Sequence, residues 1–315
     1  MRSSITALTL LSILALAGCN VGGQSVDDRL RVVATTTQVG SVAREIGGED
    51  IELTVLLQPG AEAHDYEMTP VAAAAVEDAD IVLRSGAGLE SWLDDALETI
   101  GTPEATRDMS DGVTLREPDE PGDGDAHGEE EADDHGEADP HYWLCAPNAV
   151  VMVENVEAAL TAADAPNASG FAERADGLIE RLEAADAEIR SLLAEIPDDE
   201  RGIVTNHDAL GYFIDEYGLR FVGSIFPNLD VSAEPGPGEL AELVETLRAG
   251  GVVAIFSESA VSPELANTIA AETDAEVVDE PLYTDSLGPT GSGADTLDGM
   301  LLHNATVIHD ALIGS

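Results

Sequence analysis

Residues 167–196 read NASGFAERADGLIERLEAADAEIRSLLAEI. Phe171, Leu178, Ile179, Leu182, Ala185, Ile189, Leu192, Leu193 and Ile196 recur at steps of three and four, which places them on one face of an α-helix. Asn167 or Ser169 stands where an N-cap belongs, and Pro197 stands where a helix must stop. About 26 residues at the helical rise form a rod of roughly 39 Å, long enough to run along two lobes. On both sides of this rod, short apolar runs alternate with helical patterns. Before it come strand-like 30–35, helical 39–46, strand-like 51–57, helical 70–78, strand-like 81–83 and helical 89–99. After it come strand-like 202–205, helical 209–217, strand-like 220–223, helical 239–248, strand-like 252–256, helical 263–273, strand-like 275–278 and a last helix over 297–312. Strands alternating with helices make parallel βα units. The expected fold is therefore α/β, with two Rossmann-like lobes over 30–166 and 198–315 joined by one long rigid helix over 167–197.

The N-terminus is of a different kind. Residues 1–19 read MRSSITALTLLSILALAGC, with one Arg followed by an uncharged apolar run from Ile5 to Ala17. That run is too short for the roughly 20 residues a bilayer requires and reads as the apolar core of a secretory signal peptide over 1–18. The ending Leu16-Ala17-Gly18-Cys19 resembles a lipobox, whose Cys carries the lipid; a plain signal peptide with a chance Cys is the alternative. Residues 19–29 then form a tether, and the domain sits at the cell surface, anchored by lipid to the outer face of the cytoplasmic membrane.

The chain of 315 residues carries 63 acidic residues against 13 basic ones, all Arg, for a formal charge of −50. A nucleic-acid partner is excluded, because such binding draws on basic patches. Charge of that size usually accompanies disorder, but 44% apolar residues allow a core. The combination fits a globular protein adapted to very high salt, as in a halophilic archaeon, where screening suppresses self-repulsion; an ordinary acidic protein is the alternative. Composition breaks over 117–139, which holds 12 acids, His127 and His135, and only Ala and Pro as apolar residues. No core can form there, so it is a surface loop of the first lobe.

His64, His141, His207 and Asp285 each sit near the end of a strand-like run or at a lobe boundary, where open α/β sheets bind ligands. Singly, each is an ordinary polar loop residue. Gathered in a cleft between the lobes, three His and one carboxylate suit a divalent transition metal such as zinc.

The words around these residues resemble those of the metal-specific substrate-binding lipoproteins of ABC importers, the zinc and manganese receptors. The resemblance runs through TTTQVGSVAREIGG (35–48), QPGAEAHDYEMTP (58–70), DADIVLRSGAGLESWL (78–93), DPHYWL (139–144) and TNHDALGYFIDEYGL (205–219). It implies two lobes on a rigid helix with one metal between them. It also implies that His64, His141, His207 and Asp285 are the ligands, and that zinc is the cargo rather than manganese or iron. Capture outside the cell and delivery to a membrane permease with its ATPase follow from it, with a monomer expected. Four protein ligands would close the coordination sphere, and neutral imidazoles would be needed, so affinity should fall below the ordinary His range near pH 6.5. The acidic loop with His127 and His135 resembles the His-rich insertion of zinc receptors, either as a metal collector or as a solvated linker. Cys145 replaces the Asp or Asn usual after the W-L pair, and reads as a buried small hydrophobe or as a thiol near the site. His303 and His309 in the last helix are structural or surface residues.

Two rival classes remain. A zinc hydrolase would use Glu67 as its base at an open metal position, although no H-E-x-x-H occurs. A metal-stabilised adhesin would use the ion for its fold alone.

The charge balance makes one prediction. The thermal midpoint should rise steadily from about 0.1 M salt into the molar range, as the Debye length shortens from about 10 Å to about 3 Å. A midpoint independent of salt would remove the salt-adapted reading.

Overall fold

The computed structural model describes residues 29–64, 66–100, 105–117, 138–226, 235–259, 264–273 and 275–314. The signal peptide, Cys19, most of the tether, and residues 118–137 of the acidic loop, with His127 and His135, lie outside these residues.

The first half builds a four-stranded parallel sheet from β1 (Leu30–Ala34), β2 (Ile51–Val55), β3 (Ile81–Arg84) and β4 (Thr106–Asp108), in the order β2-β1-β3-β4. β1 is central, with Leu30 opposite Ile51 on one side and Val32 opposite Ile81 on the other. Its last three residues are buried on both faces, which is why VVA reads as a continuous apolar run. The strands are connected by α1 (Thr37–Gly47), α2 (Pro70–Asp78) and α3 (Ser91–Ile100). Local chemistry sets two of these helix starts. Thr36 Oγ1 accepts from Val39 N, and Thr69 Oγ1 accepts from Ala72 N with Pro70 in the first turn.

A helix that the periodicity above does not mark, α4 (Ala146–Ala163), leads into α5 (Ala168–Leu193), the 26-residue rod. Asn167 makes no side-chain cap; its amide instead donates to Asp164 Oδ2 at 2.6 Å, correcting the expected capping role. A preceding 3-10 turn over Ala165–Asn167 already shapes the entry to the helix. The buried face of α5 is Phe171, Ala175, Leu178, Leu182, Ala185, Ile189 and Leu193.

The second half contributes β5 (Gly202–Thr205), α6 (Gly211–Tyr217), β6 (Arg220–Ser224), α7 (Pro237–Gly250), β7 (Ala254–Glu258), α8 (Glu264–Glu272), β8 (Glu276–Leu282) and α9 (Leu297–Ile313). β5 pairs with β6 and β7 with β8, both in parallel, and β5 lies beside β7. No helix among the described residues is long and apolar enough to cross a membrane.

α5 is not the only tie between the halves. It packs on α4, α1 and α9, and α9 reaches back to α1 and α4. Val42 and Ile46 of α1, Leu178 and Leu182 of α5, Phe256 of β7 and Leu301 and Ile308 of α9 belong to one continuous buried cluster. A core shared in this way resists separation of the lobes, because parting them would expose apolar surface at about 25 cal/mol per Å².

Leu182 is fully buried and Glu183 is exposed on the same turn. Leu182→Ala should therefore lower the unfolding free energy by about 2–5 kcal/mol, and Glu183→Ala should change it by less than about 0.5 kcal/mol, as read from denaturant titrations at high salt.

Candidate metal centre

Each of the four candidate ligands lies on a loop or turn whose backbone is fixed by its neighbours. His64 lies in the loop after β2. There Gly60 adopts φ +80°, a conformation open to glycine. Gly60 N donates to Ser286 Oγ at 2.8 Å, and Trp92 Nε1 holds the carbonyl of Ala63 at 3.0 Å. His64 N donates to Glu62 Oε1 at 3.0 Å. His141 opens the short 3-10 turn Tyr142–Leu144. The next two residues are pinned from opposite sides: Tyr142 Oη donates to the carbonyl of Ser85 at 2.9 Å, and Trp143 Nε1 donates to the carbonyl of Thr284 at 3.0 Å. His207 follows β5, and Asp285 follows β8.

The structure brings all four together. One donor atom from each lies within 4.8 Å of all the others. His64 Nε2 is 3.2 Å from His141 Nε2 and 3.9 Å from Asp285 Oδ1. His141 Nε2 is 3.2 Å from Asp285 Oδ1, and His207 Nε2 is 3.5 Å from Asp285 Oδ2. Bonds of about 2.0–2.1 Å to a tetrahedral ion imply edges of about 3.3 Å between donors, close to these separations. His141, His207 and Asp285 are buried, while the His64 side chain keeps 14% of its surface exposed.

The carboxylates behind the imidazoles escape a motif-by-motif reading. Asp139 Oδ1 faces His141 Nδ1 at 2.8 Å and also accepts from His141 N at 3.0 Å. Glu258 Oε2 faces His207 Nδ1 at 2.7 Å, and its Oε1 accepts from His207 N at 2.9 Å. With Nδ1 turned to a carboxylate, each ring presents Nε2 to the shared point. Asp139 was visible two residues before His141 in DPHYWL. Glu258 ends an ordinary apolar strand, and nothing in its local sequence marks it.

The electrostatics follow from this crowding. Burial disfavours a charged His141, but its contacts with Asp139 and Asp285 outweigh burial and hold its pKa up to about 9. His207 is likewise raised well above the usual range: burial opposes the charge, and Glu258 and Asp285 prevail. Asp285 is held well below the carboxylate range, because His207 and His141 outweigh its burial. Glu62 is pushed up, first by burial and then by the charge of Asp285. Neither Asp285 oxygen, nor His207 Nε2, has a well-directed hydrogen bond among the described residues. A buried ring nitrogen and a buried carboxylate left without such bonds, beside two further ring nitrogens at metal-like spacing, fit a divalent transition ion.

The family described as "Zinc-uptake complex component A periplasmic" matches residues 32–311. The chain belongs to this family. It is 32% identical over 318 residues to the manganese-binding lipoprotein MntA of Bacillus subtilis, covering 99% of this chain and 100% of that one. It is 30% identical over 295 residues to the zinc-binding lipoprotein AdcA of Streptococcus pneumoniae, covering 93% of this chain and 56% of that protein. Its fold is shared with the periplasmic zinc binding protein TroA of Treponema pallidum, at a TM-score of 0.80 and 23% identity over 90% of this chain and 99% of that one. Members of the family are binding components of transport systems, not enzymes, so the hydrolase reading with Glu67 as base is set aside.

Cys145 is buried, its thiol pushed up to about 12 by burial. Its charged neighbours are Glu216, Asp186 and Arg190. A protonated thiol in that setting acts as a small hydrophobe, the first of the two readings above. His303 Nε2 contacts the Pro281 carbonyl at 3.0 Å, and His309 Nδ1 pairs with Asp310 at 2.9 Å. Both lie apart from the four-residue group.

The pH window expected from an unperturbed histidine must be moved upward. A histidine with a raised pKa stabilises the metal-free fold fully below about pH 6.5, and that contribution is lost as pH rises through about 9. A metal needs the neutral ring, so protons compete with it over the same interval. Metal affinity should climb from pH 6.5 to about 9 while the thermal midpoint of the chelated protein falls. An affinity plateau reached by pH 7 in a titration series would contradict these shifts.

Proposed function

We propose that this protein captures zinc outside the cell through His64, His141, His207 and Asp285 and delivers it to the permease of an ABC importer powered by its ATPase. Convergence of three Nε2 atoms and one carboxylate within 4.8 Å, behind which carboxylates orient two of the rings, carries this reading. Nitrogen-rich, compact four-coordinate sites suit zinc. Manganese is the second reading. Asp285 presents Oδ1 toward His141 and Oδ2 toward His207, so it can bind an ion through both oxygens, as a harder cation prefers. The manganese-binding relative supports it as well.

The lipobox-like ending at Cys19 and the lipoprotein names of the relatives support anchoring through Cys19, with the domain facing outward. The acidic segment with His127 and His135 would attract cations, an effect that high salt screens. A monomer suffices, because all four ligands come from one chain.

Metal analysis of the domain purified at high salt, followed by competition between zinc and manganese, tests the reading directly. His64→Ala should weaken zinc binding by on the order of a hundredfold or more, since loss of a ring's outer partner alone costs about 10–100-fold. Its melting transition should survive, because His64 is partly exposed on a loop. Unfolding of the variant would instead favour an ion that only stabilises the fold, as in the adhesin reading. Wild-type protein that binds neither ion would end the receptor reading.

A further inference from the structure

We infer that Glu258, coupled to Thr284, is the positioning residue that sets the site's preference between metals; the inference rests on the metal-receptor reading above. Glu258 is 2% exposed at the end of β7. The pairing of β7 with β8 shifts register between Phe256 and Glu258, the kind of irregularity that re-aims a side chain. Its carboxylate is turned to three donors at once. Oε1 accepts from His207 N at 2.9 Å; Oε2 faces His207 Nδ1 at 2.7 Å and accepts from Thr284 Oγ1 at 2.7 Å.

Only an acceptor on both oxygens meets that pattern. A glutamine would aim its amide N–H at one or more of these donors, since it has one accepting atom and one donating group. The carboxylate oxygen 2.7 Å from His207 Nδ1, though not aligned as a directed hydrogen bond, favours the proton on that nitrogen and leaves Nε2 as a lone pair for the ion. The bond to Thr284 extends the effect further, because Thr284 precedes Asp285 and is itself a junction. Its carbonyl accepts from Gln38 Nε2 on α1 at 3.0 Å and from Trp143 Nε1, two residues past His141, at 3.0 Å. Through one buried carboxylate, then, His207 is held directly and Asp285 through its neighbour, and both are tied to the segment bearing His141 and to the first lobe. A lattice of this kind holds the donors in one fixed, compact arrangement. Zinc gains most from that arrangement; manganese, which favours oxygen donors and accepts water in its shell, gains less.

The test compares wild type, Glu258→Gln and Thr284→Val, each titrated with Zn2+ and with Mn2+ at fixed pH and high salt, together with the visible absorption of the Co2+-loaded proteins. Glu258→Gln should lose about 10–100-fold in zinc affinity and under about threefold in manganese affinity, with weaker or shifted Co2+ bands as the geometry loosens. Thr284→Val removes one hydroxyl at nearly constant shape, so it should move the same quantities in the same direction by less. If Glu258→Gln does not fold, Thr284→Val decides. Equal losses for the two metals with an unchanged Co2+ spectrum would reduce Glu258 to a structural residue, and unchanged zinc affinity in both variants would remove the role. Failure of the wild type to bind either metal would refute the receptor reading rather than this assignment.

Discussion

Three carboxylates, Asp139, Glu258 and Asp285, are buried against two imidazoles, and that concentration of negative charge governs the centre of the molecule. Buried ions are tolerated only when opposite charge and hydrogen bonds compensate their lost hydration. In the metal-free state the compensation is protons on His141 and His207, which is why both rings are held above their ordinary range. A divalent cation placed between the Nε2 atoms does the same work with a better geometric match, and displaces those protons. Occupancy and protonation are thus alternatives for one buried electrostatic requirement.

The same constraint separates the two kinds of acid in this chain. The formal charge of −50 is spread over a surface where pairs such as Arg31–Asp80 and Arg190–Asp186 are solvated and of small energetic consequence. The acids that shape the site are few, buried and aimed. The overall charge therefore says little about the chemistry of the centre.

This difference explains what could be read from the sequence. Helix α5 was legible because its apolar stripe has to match a helical period, and β5 and α2 were legible because turn residues bound them. Helix α4 was missed because its Ala-rich run, buried through small side chains such as Ala149 and Ala159 as well as Met152 and Val156, lacks a sharp apolar face. The short β4, TRD, carries no strand pattern; it exists because β3 offers it a ladder. At the site, the four candidate ligands were legible through the family-like words around them, since singly each is an ordinary polar loop residue. Glu258 was not, since its role is created by a register shift and by a threonine 26 residues away, which no local window contains. Thr284 was hidden for the same reason: its function lies in its carbonyl as much as in its hydroxyl.

The shared core and the Thr284 junction bear on how an ion could leave. A wide opening of the lobes would have to expose the α1–α5–α9 packing and break hydrogen bonds such as Gln38 to Thr284 and Leu287 N to Thr37 Oγ1, the latter at 2.8 Å. Metal–donor distances, in contrast, are confined to about 0.2 Å around their usual values. A shift of one ligand loop by on the order of a bond length therefore suffices to destroy the coordination while the core stays closed. The loop best placed to make that shift carries His64, the one ligand with solvent-exposed surface. It is also the loop joined to the second lobe through Gly60 and Ser286, so movement there reaches the segment beside Asp285 directly. On the receptor reading proposed above, a rigid frame with one yielding ligand would allow release without large motion.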